Sequence, residues 1–141
     1  MDRFSQDHKG VVMGSILDLK LKSGYWYLCT PYSKWPHGLD DASRVACELA
    51  GRLLLKGVRV FSPIAHSHAV AKTMSDTDPR ADDFWLWVDK PFFESAHGIL
   101  IAKLPGWKES AGVATELHWA REHDRPRFLV DPGSLNWVKL P

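Results

Sequence analysis

The chain is short of several things, and each shortage narrows its possible roles. It has only two cysteines, Cys29 and Cys47, in 141 residues. They form neither a C-x-x-C pair nor a disulfide framework, so a reducing, cytoplasmic setting is expected. It has almost no charge imbalance, with a net charge of +1. That removes the basic footprint of a protein that binds bulk nucleic acid. Long apolar runs are missing as well. Val11 to Leu17 is short, broken by Gly14 and Ser15 and preceded by Asp2 and Asp7, so neither a signal peptide nor a membrane span is expected. Internal repeats and low-complexity tracts do not occur. Neither G-x-G-x-x-G nor a Walker A loop is found, which disfavours dinucleotide or ATP sites of those kinds. A G-x-S-x-G elbow is absent too.

What is present is ordinary in bulk and unusual in detail. Hydrophobic residues make 45% of the chain and charged residues 25%, as in a single soluble domain able to bury a core. Seven Trp is high for this length. They imply stacking surfaces, a partner interface or a well-filled core.

Residues 1–24 are weakly patterned. Ile16 to Leu21 alternates like a short strand, and the segment reads as a tail or edge extension to one domain over 25–141. Tyr25 to Cys29 is the first clear strand, ending in a turn at Thr30-Pro31-Tyr32-Ser33. Asp40 or Asp41 is expected to cap a helix whose stripe is Ala42, Val45, Ala46, Leu49 and Leu53, stopped by Gly57. Val58 to Phe61 is the second strand, ended by Ser62-Pro63. Ile64 to Pro79 reads as a loop, Ala81 to Val88 as a helix, and Pro91 as a kink or a new helix start. Gly98 to Ala102 is a short buried strand, followed by a helix to about His123 and a strand at Phe128 to Val130. The last residues, Asp131 to Pro141, look turn-like. Strands alternating with helices predict a parallel sheet of four to five strands with helices on both faces. Ligands in such sheets bind beyond the carboxyl ends of the strands, where strand order reverses.

The loop from Leu104 to Ser110 falls at such a place. Ser110 is a good N-cap, and Ala111-Gly112 leave the backbone N–H groups open to an anion such as phosphate. Val113, Leu117 and Ala120 form the apolar face of the helix that follows, and Glu116 lies at its edge. A capping box would need Glu where Val113 stands, so capping does not account for Glu116. The plainer alternative makes Glu116 a surface carboxylate balanced by Arg121 and Lys108, with Ser110 a simple cap. Asp89 is the second candidate carboxylate; its alternative is the N-cap of a helix restarting through Pro91. Paired carboxylates are what cleavage of a glycosidic bond requires. Tyr27 could orient one of them through its hydroxyl, or be an ordinary core tyrosine. His66 and His68, with Asp76, Asp78, Asp82 or Asp83, could ligate a metal, but H-x-H alone is a weak signal, and loop hydrogen bonding is the better reading.

Tyr27-Leu28-Cys29-Thr30-Pro31-Tyr32, then Asp89, then Gly106-Trp107-x-x-Ser110-x-Gly112-x-x-x-Glu116 resembles the nucleoside 2-deoxyribosyltransferase-like superfamily. The resemblance covers about residues 25–130. It is nearest to a small bacterial and phage branch with the same Leu104-Pro105-Gly106-Trp107 run and a Ser67-His68 pair after strand two. His97 and Ala114 depart from the commoner pattern of an acidic residue and a Gly. The resemblance implies a flavodoxin-like or Rossmann-like three-layer sandwich and cleavage or exchange of the N-glycosidic bond of nucleosides or their 5′-monophosphates. It implies Glu116 as nucleophile, Asp89 as the group assisting proton transfer at the base, and Tyr27 as hydrogen-bond partner of the nucleophile. Ser110 matches the serine that contacts a 5′-phosphate, which favours a nucleotide over a nucleoside. Substrate-binding residues are expected to be Ser110, Gly112, Gly106, Trp107, Pro31 and His68. The expected activity is hydrolysis of a nucleoside 5′-monophosphate through a glycosyl-Glu intermediate, with no metal or cofactor. Base exchange between nucleosides, or nucleotide binding without turnover, are the alternatives. A homodimer or homotetramer is expected, since such sites are often completed across subunits.

Overall fold

Alternation within two short apolar runs decides the layering. In Trp26-Tyr27-Leu28-Cys29 and Gly98-Ile99-Leu100-Ile101-Ala102, successive side chains point to opposite faces of the sheet. Trp26, Leu28, Leu100 and Ala102 join one core cluster, whereas Tyr27, Cys29, Ile99 and Ile101 join another.

The computed structural model describes residues 5–6, 10–74 and 82–141. In chain order these form β1 (Ser5–Gln6), β2 (Val12–Ser15), a 3-10 turn (Ile16–Leu19), β3 (Trp26–Cys29), α1 (Leu39–Leu55), β4 (Val60–Phe61) and α2 (Pro63–Ala71). There follow α3 (Asp82–Glu94), β5 (Gly98–Ala102), α4 (Ala111–Glu122), β6 (Arg127–Val130) and β7 (Asn136–Lys139). The first cluster is covered by Leu49 and Leu53 of α1, the second by Phe93 of α3 and Val113, Trp119 and Ala120 of α4. The fold is α/β, with helices on both faces. Among the described residues no helix is long and apolar enough to cross a membrane.

The sheet is mixed rather than parallel throughout, and among the described residues it has seven strands in the order β1-β2-β7-β6-β5-β3-β4. Strands β4, β3, β5 and β6 are parallel. Strands β7, β2 and β1 extend this core antiparallel. The expected parallel sheet therefore covers only the centre. The extension follows from a tight reversal after β6. Asp131 Oδ1 accepts from the N–H groups of Gly133 (2.8 Å) and Ser134 (2.9 Å), and so short a connection can join only antiparallel strands. Residues expected to be turn-like thus hold β7, whose single buried side chain, Trp137, gives too little alternation to read.

Four further expectations are corrected. Helix α1 is capped by Gly38, not by Asp40 or Asp41. Those carboxylates sit in the first turn and bond elsewhere, Asp41 to Trp35 and Arg44, Asp40 to His68 and Lys72. The segment after β4 is helical over Pro63–Ala71 rather than a loop, because Ser62 caps it (Ala65 N–H to Oγ, 3.2 Å) and Pro63 fills the first helical position. Helix α3 runs through Pro91 without a break. The hydrogen bond lost there is outweighed by Phe93, fully buried, and by Tyr25, whose hydroxyl donates to the Phe92 carbonyl at 2.6 Å. Ile16 to Leu19, with strand-like alternation, is a 3-10 turn closed by reciprocal Ser15 and Asp18 capping.

Two glycines are needed where they stand. Gly57 has φ +81° and ends α1. A Cβ on Gly98 would lie 2.2 Å from the Pro126 carbonyl oxygen, so only glycine lets β5 begin beside that backbone.

Candidate active site

The face of β3 that carries Tyr27 and Cys29 is the face α4 packs upon. Glu116, one turn beyond Val113 on α4, is thereby carried inward and is only 6% exposed. It is not a surface carboxylate. Asp89, eight residues into α3, is equally buried at 6%. Because α3 is continuous, Asp89 caps no helix. Glu116 and Asp89 line the same small cleft, of about 60 Å³, together with Thr30, Trp85, Ser110 and Gly112. The cleft opens at the carboxyl end of β3, where the neighbouring crossovers to β4 and β5 leave in opposite directions along the sheet.

Burial governs the electrostatics. Desolvation raises Asp89 to about 7. Desolvation also raises Glu116 to about 8; the nearby Asp89 charge adds to this, while the Tyr27 hydroxyl and the Cys29 thiol pull it down. Between those values the pair holds one proton and one charge. At those values the charge rests on Asp89 and the proton on Glu116, while the Tyr27 hydroxyl and the Cys29 thiol act in the opposite sense at Glu116. Tyr27 itself is held well above the usual phenol range, first by burial and then by the two carboxyls. Burial likewise pushes the Cys29 thiol up, with Glu116 adding to the effect.

Four buried polar atoms among the described residues have no hydrogen-bond partner: Tyr27 Oη, Thr30 Oγ1, Trp85 Nε1 and Asp89 Oδ1. Tyr27 Oη influences Glu116 electrostatically, yet the two do not meet in hydrogen-bond geometry. Thr30, Trp85 and Asp89 all face the cleft. Leaving one such group unsatisfied costs about 1–3 kcal/mol, so these atoms call for water or a polar ligand in the cleft. Neither Thr30, within Tyr27 to Tyr32, nor Trp85, within the helix expected over Ala81 to Val88, has a role predicted from the sequence.

Ser110 caps α4, its Oγ accepting from Val113 N–H at 3.3 Å. Its hydroxyl proton remains to be donated, beside first-turn N–H groups that have no carbonyl within the helix. Gly112 leaves open space, since a Cβ there would meet nothing within 4 Å. Ser110, Tyr32 and Ser33 also line a second, larger cavity of about 360 Å³ between loops 31–36 and 105–111. Pro31 and Gly106 belong to this second cavity. Trp107 lies against the core cluster beneath α4, with Lys108 Nζ 5.6 Å from its ring centre.

His68 stands one layer back from the cleft. Its Nδ1 is 2.7 Å from the Tyr32 hydroxyl and its Nε2 2.7 Å from Asp40 Oδ1. A carboxylate can only accept, so Nε2 donates to Asp40, and in the neutral ring Nδ1 accepts from Tyr32. Lys72 Nζ, 2.6 Å from the same oxygen, is the main reason the Asp40 carboxyl lies below its usual range. His66 is turned elsewhere, its ring 6.2 Å from those of Phe61 and Phe92. Asp76 and Asp78 lie outside the described residues, as does the Asp82 side chain. Among the described residues no group of three or more His, Cys, Asp or Glu is arranged to hold a metal ion.

Residues 24–131, the part of the chain that builds this cleft, match DUF1937, a domain of unknown function. The chain belongs to that family. No curated protein matches it.

Proposed function

We propose that the protein is an N-glycosidase that hydrolyses the base–sugar bond of a nucleoside 5′-monophosphate. The observation that carries this reading is the placement of two buried carboxyls, Glu116 and Asp89, in one cleft at the N-terminus of α4. The parallel strands, counted along the chain, are ordered 2-1-3-4, which fits a flavodoxin-like three-layer sandwich with its ligand at the switch between β3 and β5.

In this reading the phosphate rests on Ser110 and the first-turn N–H groups of α4, with Gly112 giving room. Attack requires the pair's proton to pass from Glu116 to Asp89; ionised Glu116 then attacks C1′, the C1′–N bond breaks, and its electrons pass to the base. Protonated Asp89 donates its proton to the departing base and is left as a carboxylate. Water then attacks C1′ of the glycosyl ester, releasing the Glu116 carboxylate and giving its proton to the carboxylate of Asp89. Tyr27 and Cys29 lie beneath Glu116 and favour its charged form.

The free thiols Cys29 and Cys47 support a reducing, cytoplasmic setting. Trp87, 72% exposed on α3, supports a homo-oligomer through that helix, either a dimer or a tetramer.

The test is a panel of ribo- and deoxyribonucleoside 5′-monophosphates incubated with the protein, with and without an acceptor base. Free base released without acceptor is the expected result. Release only with acceptor would make the protein a base-exchange transferase, and binding without release would make it a nucleotide-binding module.

A further inference from the structure

The two cavities meet at Ser110, Tyr32 and Ser33, and they differ in chemistry. The small one holds both carboxyls of the reacting pair; the large one holds neither. On the reading above, C1′ of the substrate sits at Glu116 and its 5′-phosphate at Ser110. The larger cavity therefore begins where a nucleoside monophosphate ends, on the far side of its phosphate.

Its walls show what belongs there. Pro31, Pro36 and Pro105 give rigid apolar surface, and Trp35 presents an indole anchored by a 2.8 Å hydrogen bond from Nε1 to Asp41. The charged side chains of the lining are Lys34 and Glu109, which cancel. A chain of further phosphates would find no net positive field in such a pocket, whereas a flat ring would find stacking surface. A volume of about 360 Å³ is within the range of pockets that take small organic ligands.

We infer that the substrate is a nucleotide whose 5′-phosphate continues, through a second phosphate, into another nucleoside, with that nucleoside's ring held between Trp35 and the 105–111 loop. This rests on the N-glycosidase reading for the orientation of the substrate, and it makes a pyrophosphate-linked dinucleotide the preferred class. Recognition here would use none of the glycine-rich loops of Rossmann cofactor sites.

The experiment compares binding, by calorimetry, of adenosine, guanosine, cytidine and thymidine 5′-monophosphates with the symmetric dinucleoside 5′,5″-pyrophosphates of the same bases. For at least one base the dinucleotide is expected to bind about tenfold or more tightly, the scale of one added stacked ring. Pro36→Phe, at an exposed position lining only the larger cavity, is expected to abolish that advantage and leave monophosphate binding within about twofold. Trp35→Ala gives the same reading by removing a wall instead of filling the space. Equal affinities for mono- and dinucleotides, equal losses for both in the two variants, or binding of neither, would overturn the inference. Binding is read apart from base release, so a selective dinucleotide site without release would refute the N-glycosidase reading alone. Release from monophosphates without dinucleotide preference would refute this subsite alone.

Discussion

The Tyr32 hydroxyl lies 2.7 Å from Nδ1 of His68, a residue 36 positions away in the chain. Tyr32 borders both cavities, whereas His68 sits behind it on α2 and is fixed in turn by Asp40 on α1. The wall between the two cavities is thus held from outside the site by two helices. If that is its use, Tyr32→Phe and His68→Gln should each lower kcat/KM by roughly 5- to 30-fold, the range of one lost polar contact. The double variant should be little worse than either single one, because both remove the same interaction. Additive losses in a double-mutant cycle would show that the two residues act separately.

The buried carboxyls tie stability to pH. Their folded-state values of about 7 (Asp89) and 8 (Glu116) lie above the values near 4 of an unfolded chain. Between those limits the native state holds more protons than the unfolded one, so this contribution to stability falls as pH rises from about 4 to 8 and is level above. Glu116→Gln, nearly isosteric and unable to ionise, should flatten that decline and be on the order of 2–4 kcal/mol more stable than its parent at pH 8.5 relative to pH 5. Urea unfolding at the two pH values checks this. The same variant should lose base-releasing turnover by several orders of magnitude while still binding nucleotide. A parallel pH dependence in parent and variant would place the Glu116 carboxyl in water.

Gly112 separates stability from binding. In the ligand-free protein Gly112→Ala meets no neighbour, and it exchanges a poor helix former for the best one. We expect Tm to stay level or rise, corresponding to at most about 0.5–1 kcal/mol. Nucleotide affinity should nevertheless fall about tenfold or more, because the added methyl would stand where the phosphate approaches the backbone. Unchanged affinity would move the phosphate elsewhere.

Ser110→Ala should weaken a 5′-monophosphate far more than the matching nucleoside, since only the former meets the hydroxyl and the helix N-terminus. Loss of the cap, seen in the Ser110 Oγ contact to Val113, should cost about 1 kcal/mol of stability in addition. Calorimetry with both ligands separates the two effects; equal losses would leave Ser110 a cap and nothing more.

The parts of this structure that were legible in the sequence are those set by local period. The apolar run Gly98–Ala102 and the 3.6-residue stripe through Val113 and Ala120 give β5 and α4 nearly to the residue. Ser62-Pro63 is ambiguous, since the same pair that ends a strand also starts a helix, and local pattern alone does not reveal α2. Pro91 follows the rule of helix breaking only when nothing stronger opposes it, and Phe93 does. The antiparallel edge depends on pairings between segments more than a hundred residues apart, such as Gly14 with Trp137, which no local window contains. Within the cleft, Glu116 and Ser110 share one helix and are visible together. The convergence of Trp85 and Thr30 on them is tertiary.

The two thiols differ in a way that offers a means of watching the protein open. Cys47 is exposed, whereas Cys29 is wholly buried under α4, with its ionisation suppressed by burial and by Glu116. A thiol reagent therefore reacts at once with Cys47, and with Cys29 only in molecules whose α4 has lifted from the sheet. The slow phase of labelling counts those excursions at the very spot where Glu116 resides, with no probe introduced, and a ligand that closes the cleft would lengthen it in proportion to its occupancy.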